Sequence, residues 1–175
     1  MTERMSAQQV RINPWNEANL TLLRLMNTPE VLEYLGGPET EEQLLARHER
    51  YLKVSRLGIG RMFSILLLPQ LEIVGSVGYW DNYWQEETVY EIGWSVLPSF
   101  QGRGIATKAI EQAIAHARME QKHRFIHAFP SISNPASNAI CQKLGFLFIN
   151  ECDFEYPPGS IMRCNDWRLE IASTT

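Results

Sequence analysis

Tyr90-Glu-Ile-Gly-Trp-Ser-Val-Leu-Pro-Ser-Phe-Gln-Gly-Arg-Gly-Ile-Ala-Thr-Lys108 passes from a strand-like apolar segment, through a loop with two glycines, into a helix-like segment. A strand, loop and helix in this order can hold a phosphate. Gly102 and Gly104 let the backbone turn without a Cβ, so successive amide N–H groups converge at a helix N-terminus, where the dipole favours an anion. The spacing narrows the choice of anion. A dinucleotide fingerprint needs a third glycine where this chain has Thr107, and a Walker A loop needs Gly-Lys-Ser/Thr, which is absent. A dinucleotide-binding reductase is also disfavoured by length, because 175 residues are few for a cofactor domain plus a substrate domain. What remains is Gln101-Gly102-Arg103-Gly104-Ile105-Ala106.

Upstream of this stretch, Met62 to Leu68, Ile73 to Trp80 and Val89 to Leu97 have the composition of three strands in a meander. Still earlier, the chain reads as helical. Asn16 can cap a segment bearing Leu20, Leu22, Leu23, Leu25 and Met26, and Thr28-Pro29-Glu30 starts another toward Leu35 that Gly36-Gly37-Pro38 ends. Thr40-Glu-Glu-Gln43 is a capping box for a further helix with a Leu44, Leu45, His48, Tyr51 and Leu52 stripe. Downstream, Gly104 to Arg118 places Ala106, Ile110, Ala113, Ile114 and Ala117 on one helix face. Phe125 to Ala128 reads as a short buried strand, Asn134-Pro135 opens a helix ending at Gly145, and Phe146 to Glu151 and Met162 to Ile171 read as closing strands. The expected fold is one α/β domain over residues 1–175, a mixed, mostly antiparallel sheet flanked by helices.

Composition sets outer limits. An apolar fraction of 45% with 21% charged residues is that of a soluble globular protein, and no apolar run approaches the ~20 residues that span a bilayer. The first residues, Met1 to Gln9, lack the apolar core of a signal peptide, so cytoplasmic residence is expected. Cys141, Cys152 and Cys164 are odd in number and lack Cys-x-x-Cys spacing, which indicates neither a disulfide framework nor a zinc site. His116, His123 and His127 lack metal-ligand spacing and read as surface or core, so no metal is expected. A net charge of −4 disfavours a nucleic-acid surface and suits a cationic amine.

Gln101 to Ala106 fits the pattern Gln/Arg-x-x-Gly-x-Gly/Ala, and Asn134-Pro-Ala-Ser137-Asn-Ala-Ile-Cys-Gln-Lys143-Leu-Gly-Phe146 fits Asn-x-x-Ser followed by Lys-Leu-Gly-Phe. Through these two motifs the chain resembles the GNAT superfamily of N-acetyltransferases. Together with Glu91-Ile-Gly-Trp94, they resemble the branch that acetylates ribosomal-protein N-termini. The resemblance implies acetyl-coenzyme A as co-substrate, its pyrophosphate held by Gln101, Gly102, Arg103, Gly104, Ile105, Ala106 and Thr107. It implies backbone contacts to the cofactor from Trp94, Ser95 and Val96, and further contacts from Asn134, Ser137 and Cys141. Glu91 stands where a carboxylate can take a proton from the acceptor ammonium. Ser137 is the candidate donor to the leaving thiolate, because Cys141 replaces the tyrosine that many members of the superfamily carry there.

Each assignment has a plain structural counterpart. Glu91 can be a solvated strand-end residue, Ser137 a helix-turn residue and Cys141 a packing residue. Tyr79, Trp80, Tyr83 and Trp84 can wall an acceptor pocket around a turn, or fill a core or a subunit interface. The acceptor is a primary amine, by resemblance a protein N-terminus; small-amine and aminoglycoside acetyltransferases share these loops. A nonenzymatic acyl-coenzyme A sensor would keep Gln101 to Ala106 as well. Monomer and homodimer both remain open.

Overall fold

The computed structural model describes residues 9–172, so Met1 to Gln8 of the leader reading lie outside the described residues. Seven strands form one sheet in the order β1-β2-β3-β4-β5-β7-β6. They are β1 (Val10–Pro14), β2 (Gly60–Leu67), β3 (Glu72–Trp84), β4 (Glu87–Val96), β5 (Phe125–Ala128), β6 (Leu147–Glu155) and β7 (Ile161–Glu170). The helices are α1 (Leu20–Met26), α2 (Glu41–Arg56), α3 (Ile105–Glu120) and α4 (Pro135–Lys143). Every strand pairing is antiparallel except β4 with β5. This is the mixed, mostly antiparallel sheet that the sequence implies.

Each face of the sheet has its own core. Val77, Tyr79, Tyr90, Ile92, Ile126 and Ala128 pack against Ala109, Ile110, Ala113, Ile114 and Ala117 of α3 and Cys141 of α4. Alanines at the 3.6-residue period keep α3 close to the strands. The opposite face carries Met62 and Trp80, which pack with Leu22, Leu23 and Met26 of α1 and Leu44 of α2. There Trp15 Nε1 donates to His48 Nδ1 at 3.0 Å, so His48 is a buried structural partner.

Three expectations are corrected. Val10–Pro14 is an edge strand rather than part of a helical lead-in; its closing Pro14 cannot donate to a ladder and conceals a strand whose Val10 and Ile12 alternate correctly. Residues 28 to 35 form successive turns, because so few residues between Pro29 and Gly36 cannot repay helix nucleation. Finally, β3 does not stop at Trp80. Its pairing with β4 runs on to Trp84↔Glu87, and Gln85 and Glu86, both at positive φ (49° and 67°), make the tight turn.

Candidate active site

β4 pairs with β5 only at Tyr90↔Ile126 and Glu91↔His127, although β4 continues to Val96. Beyond Glu91 the two strands part, and the backbone of Ile92 to Val96 keeps an unpaired edge toward β5. The gap opens toward the glycine loop. Gln101 Nε2 donates to the Val96 carbonyl at 2.9 Å and ties the loop back to the end of the strand. Pro98–Phe100 form one turn of 3₁₀ helix, and the Arg103 guanidinium lies 5.3 Å from the Phe100 ring centroid.

The loop has the backbone of an anion cradle. Gly102 and Gly104 sit at φ 75° and 76°, left-handed values that favour glycine, and a Cβ built at either would meet no atom within 4 Å. Gly104 is the N-cap of α3, and no side chain caps that helix. Among the described residues the first-turn amides of Ile105, Ala106 and Thr107 thus have no side-chain cap at the positive end of a 16-residue helix. These features fit the pyrophosphate of a coenzyme A molecule.

Glu91 lies at the point where β4 and β5 part. Register places it on the sheet face of Trp80, Asn82 and Trp84, opposite the α3 face. Asn82 Nδ2 donates to its Oε1 at 3.0 Å. Burial pushes the carboxyl up from 4.5 to about 7, against the lowering effect of hydrogen bonds from Trp80 and Asn82. A carboxylate poised at that value exchanges protons readily at neutral pH. Gly93 has a specific use here, because a Cβ at that position would stand 3.0 Å from Cη2 of the Trp80 indole, which lies across β4.

The four acceptor-wall aromatics are not brought together. Strand alternation sends Trp80 and Trp84 to the Glu91 face and Tyr79 and Tyr83 to the other. Tyr79 is fully buried in the α3 core and Tyr83 is largely exposed, so neither faces the side chain of Glu91. Trp84 instead packs edge-on against Phe129 at 4.8 Å, and Phe129 stacks on Phe154 at 4.5 Å.

On the α3 side, Asn134 caps α4 by accepting from the Ser137 amide at 3.2 Å. Its Nδ2 donates to Ser137 Oγ, also at 3.2 Å, which leaves the serine hydroxyl hydrogen available. Asn138 Oδ1 accepts from Asn165 Nδ2 and Trp167 Nε1, both at 2.8 Å, and anchors α4 to β7. Cys141 is completely buried, and burial pushes its thiol up to about 12.

Sequence reasoning missed His127 and Asp166. His127 Nδ1 lies 2.6 Å from Asp166 Oδ1 among buried atoms, and Trp84 Nε1 donates to Asp166 Oδ2 at 3.0 Å. These partners are 39 and 82 residues apart, so no local spacing could reveal them. A separate cleft of about 330 Å³ is lined by Arg61, Glu120 and Lys122. Its charges are already paired, Arg61 with Glu120 and Lys122 with Asp81, each at 2.5 Å. It offers no reacting group comparable to Glu91. Among the described residues no cluster of His, Cys, Asp and Glu is arranged to hold a metal ion.

A family model described as the acetyltransferase (GNAT) domain matches residues 9–147. The chain belongs to the GNAT acetyltransferases. It is thus an N-acetyltransferase by family, and GNAT acetyltransferases use acetyl-coenzyme A. No curated protein matches it by sequence. Solved structures agree with the GNAT fold. One is the acetyl transferase from Salmonella typhimurium that modifies the N-terminal serine of 50S ribosomal subunit protein L7/L12 (TM-score 0.76, 18% identity, 93% of this chain and 95% of that one). Another is spermidine N-acetyltransferase from Vibrio cholerae in complex with CoA and spermine (TM-score 0.74, 19% identity, 93% and 95%). A third is ribosomal-protein-S5-alanine acetyltransferase from Vibrio fischeri (TM-score 0.73, 18% identity, 95% and 94%).

Proposed function

We propose that this GNAT domain, one unit over residues 1–175, transfers the acetyl group of acetyl-coenzyme A directly to a primary amine, and that the amine is a protein N-terminus. The observation that carries direct transfer is Glu91, a half-buried carboxylate with a proton affinity raised toward neutrality, standing where β4 and β5 part. In this reading the loop from Gln101 to Thr107 holds the pyrophosphate, with Asn134 beside the cofactor; Cys141, expected there too, is completely buried in the core and packs beneath it instead. The unpaired edge of β4 at Trp94, Ser95 and Val96 offers a backbone N–H to the thioester carbonyl. Glu91 takes one proton from the ammonium, and the freed amine attacks the carbonyl carbon. The C–S bond breaks with its electron pair on sulfur, and the second nitrogen proton ends on the thiol. Ser137 Oγ–H is the donor proposed to steady the departing thiolate.

The Asn-x-x-Ser and Glu-Ile-Gly-aromatic motifs, and the two ribosomal-protein acetyltransferases of like fold, support an N-terminal amine. A small polyamine is the second reading. It draws on the spermidine enzyme of like fold, and on Glu91 with Trp80 and Trp84, a negative and aromatic face that suits any organic cation. Cytoplasmic residence belongs to the same proposal, supported by three free cysteines.

Release of coenzyme A thiol, measured across a panel of N-terminal peptides, polyamines and aminoglycosides, tests the acceptor. Turnover of peptides supports the first reading. Turnover of small amines alone replaces it with the second, and saturable coenzyme A binding without turnover of any amine would mark a sensor.

A further inference from the structure

Glu91 shares its sheet face with a polar pair that the chemistry above leaves unused. His127 is its register partner across the parallel β4–β5 pairing, and partners of adjacent strands project their side chains to the same side. Two contacts hold the imidazole, and a third fixes its partner. Nδ1 meets Asp166 Oδ1 at 2.6 Å, the second oxygen of Asp166 accepts from Trp84 Nε1 at 3.0 Å, and the ring stacks on Phe129 with centroids 5.8 Å apart at 12°. Among the described residues Nε2 makes no hydrogen bond.

A structural role explains this arrangement poorly. Asp166 has no exposed surface, and burying a carboxylate costs several kcal/mol unless its partners are well placed. Both of its oxygens are used, one to fix the ring's orientation and one to fix the carboxylate itself. An Nδ1–H donated to a buried carboxylate leaves the lone pair on Nε2, free to accept a proton.

We propose that His127, held by Asp166 and Trp84, is a positioning residue of the acetyl-transfer site that relays the proton collected by Glu91 to solvent. The inference rests on acetyl transfer to an amine but not on which amine. Transfer from an ammonium releases one net proton per turnover. The ammonium N–H bond breaks and the proton passes to the Glu91 carboxylate. Because the Glu91 carboxylate and the His127 ring make no direct hydrogen bond or ion pair, a bridging water then carries it to Nε2, which restores the carboxylate, and it leaves the ring for bulk water. The second nitrogen proton goes to the coenzyme A thiol and needs no relay. The charged and titratable groups facing His127 are Glu91 from β4, Asp166, Arg168 and Cys164 from β7, and Cys152 from β6; β3 contributes only the neutral Asn82 and Trp84. The Arg168 guanidinium is drawn aside over the Phe125 ring at 4.4 Å.

The test compares wild type with His127→Ala and Asp166→Asn, using whichever amine the wild type turns over fastest. The readouts are kcat against pH, acetyl-coenzyme A affinity by calorimetry, and the response to added imidazole. Both variants should lose about 10²-fold in kcat with unchanged coenzyme A affinity. Imidazole should restore much of the rate of His127→Ala and leave wild type unaffected. Wild-type turnover in His127→Ala, or a deficit that imidazole does not relieve, overturns the proposal. Should the variants fail to fold, ¹⁵N-imidazole spectra of the wild type decide: His127 must carry its proton on Nδ1 and leave the Nε2 lone pair open, and an Nε2–H tautomer overturns the relay. A wild type that acetylates small amines but no peptide overturns only the acceptor reading above.

Discussion

Asn82 Nδ2 and Glu91 Oε1 meet at 3.0 Å across the β3–β4 ladder, on the sheet face away from α3. This hydrogen bond favours the ionised carboxylate, yet burial outweighs it and raises the proton affinity to about 7. In its proposed role as base Glu91 works only where it is ionised, so wild-type kcat/KM should fall as pH drops through about 7. Glu91→Gln should abolish that limb and lower kcat by about 10²–10⁴-fold near neutral pH, with acetyl-coenzyme A binding intact. A pH–rate profile alongside calorimetry checks both.

The same group predicts a gain in stability. A carboxyl raised from 4.5 to about 7 on folding binds its proton more tightly in the native state. Its contribution is fully present below about 4.5 and is lost as pH rises through about 7, which amounts to roughly 3 kcal/mol at most. Glu91→Gln should accordingly raise the melting temperature at pH well above 7 and change it little near 4. Thermal unfolding at the two pH values measures the difference, and equal shifts at both would contradict the buried-carboxylate account.

Gly104 holds φ 76° at the start of α3 with nothing above it. Gly104→Val adds about 1–2 kcal/mol of left-handed backbone strain and a side chain over the amides. Acetyl-coenzyme A affinity should weaken by about tenfold or more. Calorimetric titration of Gly104→Val against wild type is the measurement.

Gly93 gives the Trp80 indole its place. Gly93→Ala would put a methyl 3.0 Å from Cη2 and push the ring off β4, an overpacking cost of about 1–3 kcal/mol. The expected signature is a raised KM for the amine, a change in tryptophan fluorescence and a lower Tm, with acetyl-coenzyme A affinity little altered.

Cys141 is fully buried and its thiol is pushed up to about 12, so it supplies almost no thiolate at neutral pH. Native protein should resist alkylation at Cys141, and Cys141→Ala should retain acetyl transfer. Mass spectrometry after incubation with acetyl-coenzyme A should find no acetyl group on this cysteine, as direct attack requires.

The strand-to-helix passage from Tyr90 to Lys108 was legible because local chemistry carries it. Glycines are needed at left-handed φ, an apolar run needs two-sided burial, and an alanine-rich period of 3.6 needs a sheet beneath it. Asn134 with Pro135 marked α4 in the same local way. The Val10–Pro14 strand was hidden because β1 exists only through its pairing with β2. The aromatic cluster misled for a related reason. Tyr79, Trp80, Tyr83 and Trp84 are close in sequence, but once β3 continues to Trp84, alternation divides them between two faces.

By itself the sequence determined the GNAT class, the glycine loop between Gln101 and Thr107 and the carboxylate that precedes it, since each is written in consecutive residues whose conformational needs are local. Only the tertiary structure decided what surrounds that carboxylate. The parting of β4 from β5, the burial that raises Glu91 to about 7 and the meeting of His127 with Asp166 depend on strands distant in sequence lying side by side. Burial and cross-strand hydrogen bonding are properties of the assembled sheet, and they set proton affinity and tautomer where residue identity alone cannot.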